Sequence, residues 1–258
     1  MKVTGIGCAR SRRLQLRALA CAAALLSGCV TSDKYKLAKK DAPPAQPLSW
    51  SVSAPPAELT LEQVIVYQGP GTWKLDARWD EYVVRVTNHG TQPLTIGSAT
   101  LMDLLGKPQF PGDDPWKLEK LSYTNWDKYG RAGTSVVLGV GAASAFGMGA
   151  LYAGLTVSVA AADAVLIAFP VALVADIGVV AMIDHSNKGK VEQEFNRRRL
   201  GLPLTVAPGA TASGSLFFPM TPGPQRLALT GKSGDAPLEL ILELKPLAGL
   251  HLKPEGKK

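Results

Sequence analysis

The sequence predicts a mainly β protein, a β-sandwich interrupted by an inserted α-helical hairpin that is rich in glycine and alanine and that we expect to be transmembrane. Two observations support this prediction. Short runs of alternating apolar residues, separated by Pro- and Gly-containing turns, occur both before residue 110 and after residue 200, and such runs are typical of sandwiches. Between them, residues 132–183 form an apolar stretch whose only charged residues are Asp163 and Asp176.

The N-terminus has the pattern of an export signal. Five basic residues and no acidic residue accompany an apolar run over residues 18–26, and this arrangement is typical of a secretory signal peptide. The motif that follows, Leu26-Ser27-Gly28-Cys29, resembles the lipobox of bacterial lipoproteins. The resemblance implies that residues 1–28 are a lipoprotein signal peptide and that Cys29 carries a diacylglyceride and palmitate. The alternative is an ordinary signal peptide with an incidental cysteine.

Cysteine content and charge agree with this interpretation. Cys8 and Cys21 lie in the predicted signal, so Cys29 would be alone in the mature chain and could form no internal disulfide. Loss of the five basic residues lowers the formal net charge from +7 to about +2, which removes the main argument for nucleic-acid binding. In lipoprotein sorting, an aspartate after the cysteine is associated with inner-membrane retention, and here that position is Val30.

This resemblance favours the cell outer membrane, with the protein lipid-anchored and facing the periplasm or the cell surface. The alternative is the periplasmic side of the inner membrane, because a strongly apolar hairpin would be expected to stop there during export.

The predicted sandwich is assembled from two separate parts of the chain. Residues 29–57 are polar and rich in proline and alanine, and we interpret them as the lipid anchor and a disordered linker. Residues 58–110 form the first part of the sandwich, and residues 201–258 form the second part with a C-terminal tail. In the first strand, alternation predicts that Leu59, Leu61, Ile65 and Tyr67 share one face. Further strands are predicted at 81–87, 93–102, 204–206, 211–218, 226–229 and 238–244.

Two local patterns resemble the immunoglobulin-like domains of secreted bacterial lipoproteins. The first is Val86-Thr87-Asn88 followed by Pro93-Leu94, Asp103 and Gly106, and the second is Ala207-Pro208-Gly209 followed by Gly214 to Phe218. The resemblance implies an immunoglobulin-like sandwich and no particular activity. The chain departs from that family by the long insertion between the two patterns.

The apolar stretch 132–183 is long enough for two membrane crossings of ~20 residues each. Small residues recur along it at a spacing that resembles a glycine zipper, a pattern that lets helices pack closely in lipid. We therefore assign helix packing to Gly139, Gly141, Ala145, Gly147, Gly149 and Ala153. The hairpin could turn near 160–163 or near 154–156. Two alternatives remain for this stretch: a buried hairpin in a soluble helical domain, and a degenerate dinucleotide-binding loop around Gly139-Val140-Gly141.

The segments that flank the hairpin are connectors rich in aromatic and basic residues, 111–131 before it and 184–200 after it. Such residues favour the boundary between membrane and water. We assign possible membrane or partner contacts to Asp176, Arg197, Arg198 and Arg199. The alternatives are a near-surface aspartate at the end of a short helix and a solvated helix on which Glu192 and Glu194 neutralise the arginines.

The sequence carries no recognisable catalytic motif. Its three histidines, His89, His185 and His251, have no metal-ligand spacing. Asp103 could join Asp113 and Asp114 around a calcium ion, but a Pro-Gly-Asp-Asp-Pro turn explains the last two without a metal. We therefore expect no catalytic residues, no metal, and no cofactor other than the covalent lipid on Cys29.

These features predict a membrane-anchored cell-envelope lipoprotein that acts as a binding or scaffolding module. Its expected partners are membrane lipid and either another envelope protein or a second copy of itself, and not nucleic acid. The alternative functions are an oligomeric pore or export component built from glycine-zipper hairpins and, less favoured by the motifs, an enzyme.

Overall fold

A computed structural model describes residues 35–38, 47–131 and 176–252, with the backbone alone for residues 176–186. The strands before the apolar stretch are β1 (Trp50–Ala54), β2 (Ala57–Ile65), β3 (Asp80–Asn88), β4 (Leu94–Met102) and β5 (Pro108–Gln109). Two helices follow, α1 (Pro115–Arg131) and α2 (Asp176–Arg198). The remaining strands are β6 (Leu204–Val206), β7 (Thr211–Phe218), β8 (Arg226–Ser233) and β9 (Ala236–Glu243), and a 3-10 turn spans Lys245–Leu247.

The strands form two antiparallel sheets, which confirms the prediction of a mainly β protein. Sheet A has the order β1-β2-β3-β7, and sheet B has the order β5-β4-β8-β9, with β6 also paired to β4. Strand β7 follows the apolar stretch in sequence, yet it pairs with β3 from Asp80↔Phe218 to Thr87↔Thr211. Sheet A therefore contains strands from both before and after the insertion.

One hydrophobic core lies between the two sheets, and the alternation of the strands creates it. In β3, Tyr82, Val84 and Val86 point into this core, and the intervening side chains point away from it. The Tyr82 ring meets the edge of Phe218 from β7, with 5.5 Å between ring centroids. Burial of each large apolar side chain contributes about 1.5–3 kcal/mol, so this shared core is the main source of stability for the two-sheet domain.

A β-bulge in β2 changes the face that was predicted for this strand. The pairing of β2 with β3 shifts between Leu61 and Gln63, so the core residues are Leu59 and Leu61 before the bulge but Val64 and Val66 after it. The predicted continuation of the face through Ile65 and Tyr67 is therefore wrong. An extra residue in one strand reverses the parity of every side chain that follows.

Neither helix of the described residues is both long and apolar enough to cross a membrane, so the described helices do not support the predicted transmembrane hairpin. Most of the predicted hairpin, including the packing positions Gly139 to Ala153, lies outside the described residues, as does Cys29. Helix α2 begins at Asp176 and continues past residue 183 to Arg198. Strand β1 lies within residues 29–57, so the folded domain begins earlier than the sequence suggested.

Candidate functional site

A second hydrophobic cluster lies on the outer face of sheet A, where α1 and α2 meet the strands. We call it the helix-anchoring cluster, and it comprises Trp73, Ala77, Trp79, Leu118, Val191, Phe195 and Phe217. Phe217 points away from the main core because its neighbours Leu216 and Phe218 point into it. Phe195 of α2 stacks on Phe217 with ring centroids 4.1 Å apart, and the edge of Trp79 lies against Phe195 at 6.1 Å. The C-terminal part of α2 is thus packed on strand β7.

A buried carboxylate completes the contact between α2 and sheet A. Glu81, which has no exposed surface, accepts hydrogen bonds from Trp73 Nε1 at 2.5 Å and from Ser215 Oγ at 2.6 Å. Arg198 Nη1 donates to the same carboxylate at 3.4 Å. The arginine guanidinium also lies 5.1 Å from the centre of the Trp73 ring. Glu81 therefore joins a loop, a strand and the end of a helix.

The three predicted contact arginines have different environments. Arg197 donates twice to Glu194, from Nε at 2.7 Å and from Nη2 at 2.6 Å, and Arg198 Nε donates to the same carboxylate at 2.7 Å. These hydrogen bonds lower the pKa of Glu194 to about 2. Arg199 is exposed, and its backbone forms a parallel bridge with Ser215. Arg198 thus has a structural role in anchoring α2, and Arg199 retains a solvent-facing side chain. Asp176 is the first residue of α2, and its side chain lies outside the described part.

A buried lysine stabilises the loop between β2 and β3. The Nζ atom of Lys74 donates to the carbonyl oxygens of Ala77 at 3.2 Å and Trp79 at 2.6 Å, and it lies 4.8 Å from the Trp79 ring centre. Burial lowers the pKa of Lys74 to about 8, and the negative charges of nearby Asp80, Glu81 and Glu119 partly oppose this effect. The lysine thereby fixes the loop that carries Trp73 and Trp79 into the helix-anchoring cluster.

Helix α1 is attached through polar side chains. Ser122 Oγ accepts from the amide of Met220 at 2.9 Å, and Asn125 Nδ2 donates to the carbonyl of the same residue at 2.9 Å. Near the end of the helix, the buried Tyr129 hydroxyl donates to the Asp103 carboxylate, and burial raises the pKa of Tyr129 well above its usual value. These contacts fasten both the middle and the end of α1 to the sandwich.

The geometry around the acidic residues does not favour the calcium alternative. The Asp103 carboxylate accepts from the amides of Leu105 and Lys107, each at 2.8 Å. Asp114 accepts from the amide of Trp116 at 2.8 Å, as an N-terminal cap of α1 does. No group of three or more metal-ligating His, Cys, Asp or Glu side chains forms within residues 35–38, 47–131 and the described remainder.

Of the three histidines, one has a structural role that the sequence did not suggest. His251 is fully buried, and its Nε2 lies 2.9 Å from one carboxylate oxygen of Asp80 and 3.0 Å from the other. Asp80 also accepts from the amide of Thr221 at 3.2 Å. This pair attaches the C-terminal segment to the start of β3. His89 instead lies at the surface beside Glu58 at 3.2 Å, and the side chain of His185 is not described.

A short piece of the predicted linker is docked beside the same cluster. We call residues Tyr35–Ala38 the Tyr35 clip. The amide of Ala38 donates to the Trp73 carbonyl at 2.8 Å, and the amide of Leu75 donates to the Lys36 carbonyl at 2.7 Å. The Tyr35 ring meets Trp116 of α1 edge-on at 5.0 Å. Sequence reasoning missed this element, although Tyr35 is the one aromatic residue between positions 31 and 49.

An open groove of about 350 Å³ lies at the edge of β7. Its lining residues include Gly112, Asp113, Arg199, Leu200 and Ser215. Two neighbouring segments hydrogen-bond to this edge, because the amides of Leu200 and Gly112 donate to the carbonyls of Ser215 and Phe217, each at 2.8 Å. The Ser215 hydroxyl donates a hydrogen bond to the Glu81 carboxylate. These contacts serve mainly to cover the strand edge and to position the ends of α1 and α2.

The contacts of this site together attach α1, which ends where the apolar stretch begins, and α2, which includes its last residues, to the sandwich. The buried carboxylates of Asp80, Glu81, Asp103 and Glu119 all accept hydrogen bonds from neighbouring protein groups. Their sequence signal was weak, because single acids within strands and loops carry no recognisable spacing. Comparisons of the chain with models of known families, with curated proteins and with solved structures give no match.

Proposed function

We propose that this protein is a lipid-anchored cell-envelope lipoprotein whose immunoglobulin-like sandwich serves as a binding or scaffolding module. The observation that carries the proposal is that α1, which ends immediately before the apolar stretch, and α2, which contains the last eight residues of that stretch, are both attached to the sandwich. Tyr129 and Asp103 hold the end of α1, and Arg198, Glu81 and the stacked Phe195–Phe217 pair hold the end of α2.

The energetic cost of burying the charged Glu81 supports the proposal that the attachment of α2 has a function. Burial of a charged group is unfavourable unless hydrogen bonds and an opposite charge compensate it. The pairing of Glu81 with Arg198, together with donors from Trp73 and Ser215, provides that compensation at one defined helix position. A module that presents an apolar segment to a partner in a fixed orientation needs such a defined position.

In this proposal the lipid on Cys29 and the apolar stretch provide the attachment, and no catalytic residue, metal or further cofactor takes part. The helical hairpin packs through Gly139, Gly141, Ala145, Gly147, Gly149 and Ala153 against another envelope protein or a second copy of the chain. The protein faces the periplasm or the cell surface from the outer membrane. The basis for these assignments is the lipobox resemblance, the residue after Cys29, and the spacing of the small residues.

Two matched comparisons test the proposal. Metabolic labelling with radioactive palmitate should mark the wild type and the Cys21→Ala variant but not Cys29→Ala. Affinity isolation from mild detergent, after crosslinking in intact cells, should recover a defined partner or a dimer with wild type. Gly149→Ile, on a small-residue ridge, should abolish that crosslink, because a bulky side chain prevents close approach of two helices. The neighbouring Ala150→Ile, off the ridge, should retain it.

Equal labelling of the wild type and Cys29→Ala would refute the lipid anchor. Equal crosslinking of Gly149→Ile, Ala150→Ile and wild type would refute packing through the ridge. The pore alternative makes a different prediction: the purified wild-type protein would release ions from liposomes, and Gly149→Ile would not.

A further inference from the structure

The exposed apolar side chains of this protein are concentrated around α1. Among the described residues, the large hydrophobic side chains that remain exposed are Leu37, Leu75, Leu105, Phe110, Leu121 and Tyr123. Leu121 and Tyr123 belong to α1 itself. Leu105 lies in the turn whose Asp103 is bonded to Tyr129 of α1, and Phe110 follows Gln109, which lies 3.5 Å from Asn125 of α1.

The other two exposed leucines lie on the opposite flank of the helix. Leu37 belongs to the Tyr35 clip, which contacts α1 through Trp116. The amide of Leu75 donates a hydrogen bond to Lys36 of that clip. The loop that carries Leu75 contacts α1 through Arg78, whose guanidinium lies 4.0 Å from the Tyr123 ring centre. The six side chains therefore surround one helix, whereas strands β1, β8 and β9 carry none of them. We call the flank that carries Leu105, Phe110 and Leu121, together with the solvent-facing side of α1, the α1 face.

The α1 face is also positively charged. Lys117, Lys120 and Arg131 of α1 are exposed, Lys128 is half-buried, and the acidic residue exposed on this helix is Asp127. Lys107 adds a further exposed positive charge in the turn beside Tyr129. Asp113 is also exposed, three residues after Phe110, and Lys117 pairs with Asp114 at 3.8 Å. The positive charge available on this face therefore comes from Lys107, Lys120, Lys128 and Arg131. Exposed apolar side chains ringed by lysine and arginine are the composition that binds the interface of an anionic lipid bilayer.

The Tyr35 clip determines how far this face can lie from a lipid anchor. Tyr35 is six residues after Cys29, a separation that spans at most about 21 Å when fully extended. Without the clip, the chain between Cys29 and Trp50 could extend to about 70 Å. Because Tyr35 packs on Trp116 of α1, a lipid on Cys29 would hold the bilayer surface within about 20 Å of this helix.

From these observations we propose that the α1 face rests on an anionic lipid surface, with Leu105, Phe110 and Leu121 entering the interface and Lys107, Lys128 and Arg131 contacting phosphate groups. This inference rests on the proposed lipid anchoring. It adds the orientation of the sandwich, which lies with α1 against the bilayer instead of extending away from it on a flexible tether.

A fluorescent probe that reports local polarity tests this orientation in the full chain. Leu105→Cys is labelled with the probe and reconstituted into vesicles of phosphatidylglycerol or of phosphatidylcholine. The matched control is Thr95→Cys, which is exposed on β4, eight residues and about 27 Å from Asp103. Labelled wild type corrects for any probe on Cys8, Cys21 or Cys29. We expect a blue shift and quenching by lipid-borne quenchers at position 105 in phosphatidylglycerol, a weaker effect in phosphatidylcholine, and no effect at position 95.

A charge variant separates electrostatic contact from simple proximity. Lys107→Glu should weaken the shift at position 105 in phosphatidylglycerol at least twofold, and Lys232→Glu, on the distant strand β8, should leave it unchanged. Raising the salt concentration should reduce the wild-type shift, because ions screen contacts with head groups.

Vesicle flotation of the same samples distinguishes the proposed orientation of the α1 face from the proposed lipid anchoring. If the protein floats but the probe at position 105 remains in water with both lipids, the orientation is refuted and anchoring stands. If the protein does not float, both are refuted. If the probe at position 105 is shielded equally in detergent alone, the α1 face is a protein interface and the lipid assignment is refuted.

Discussion

Glu81 shows how a single side chain can connect three elements. Its carboxylate has no exposed surface and receives donors from the β2–β3 loop, from β7 and from α2. Removal of a buried acceptor leaves its donors without partners, which costs more than the net value of the hydrogen bonds themselves. Mutation of this residue should therefore weaken the attachment of α2 to sheet A.

We expect Glu81→Ala to lower the free energy of unfolding by about 2–3 kcal/mol, less than for a fully enclosed pair because Arg198 remains 28% exposed. Glu62→Ala is the control, since Glu62 pairs with Arg85 at 3.2 Å on the surface, where such pairs contribute about 0–1 kcal/mol. Urea unfolding followed by tryptophan fluorescence measures both. Equal losses for the two variants would contradict the assigned role of Glu81.

Because Lys74 is buried, we expect the stability of the folded protein to increase with pH above the pKa of this lysine. Its pKa is about 8 in the folded protein, whereas an unfolded lysine has a pKa of about 10.4. Between these values the unfolded chain binds a proton that the folded chain has lost, so stability rises with pH in this window. Below pH 8 both forms are protonated, and the cost of burying the charge is constant.

We expect this term to add about 1–2 kcal/mol to the stability of the wild type between pH 8 and pH 9.5. Lys74→Met lacks the titrating group and should show no such gain. The comparison stops at pH 9.5 because burial also raises the pKa of Tyr35, to about 12, and that residue acts in the opposite direction above pH 10. Parallel stability curves for the two proteins would show that the lysine is not buried as a charged group.

At the scale of elements, α1 is the feature that the sequence predicted least well. The sequence predicted residues 111–131 only as a connector rich in aromatic and basic residues. The inner face of the helix is largely polar, since Ser122 and Asn125 occupy positions where an amphipathic helix normally carries apolar residues. In the structure, the backbone of Met220 forms hydrogen bonds with both side chains. A one-dimensional pattern contains no information about such partners, because they lie nearly 100 residues away in sequence.

Tyr129 should determine the stability of the last turns of α1. We expect Tyr129→Phe to increase amide hydrogen exchange in residues 126–131 by at least tenfold, because Asp103 loses a buried donor while the backbone fold of its turn remains. Tyr123→Phe is the control, since Tyr123 lies on the same helix and is 39% exposed. Similar exchange in the two variants would mean that the hydroxyl of Tyr129 does not hold the helix.

The Tyr35 clip should protect one specific amide. The Leu75 amide donates to Lys36, so loss of the clip exposes it to solvent. We expect Tyr35→Ala to raise the exchange rate at Leu75 several-fold, because the ring loses its contact with Trp116. Leu37→Ala, in the same clip but with a side chain that is 40% exposed, should have little effect. Equal exchange in wild type and Tyr35→Ala would show that the aromatic ring is not what holds the clip.

The strands were predicted more successfully than the helices, for a physical reason. Alternating residues in β3, β4 and β7 report burial on one side of a sheet, and this signal is local. The bulge in β2 and the anchoring acids are determined by partners in other segments. The clip is too short, and α1 too polar, to produce a periodic signal of their own.

At the scale of the whole molecule, the two-sheet domain should not require the apolar stretch for its own folding. Replacement of residues 132–175 by a flexible Gly/Ser linker of about 20 residues should leave the core and the helix-anchoring cluster intact, since a shorter loop costs less entropy to close. We expect a single cooperative unfolding transition by circular dichroism, with stability equal to that of the wild type in detergent or higher. Loss of cooperative unfolding would show that the apolar stretch contributes to the sandwich.

The pairing of β3 with β7 also governs the order in which the protein can form during its synthesis. Thr87 and Thr211 face each other at a sequence separation of 124, and Ser215 donates a hydrogen bond to Glu81 at a separation of 134. Contacts so distant in sequence form slowly, because a long loop must close before any of them is gained. As the chain grows from its N-terminus, one edge of β3 therefore stays unpaired until the whole apolar stretch and β7 have been synthesised, and sheet A can be completed only then.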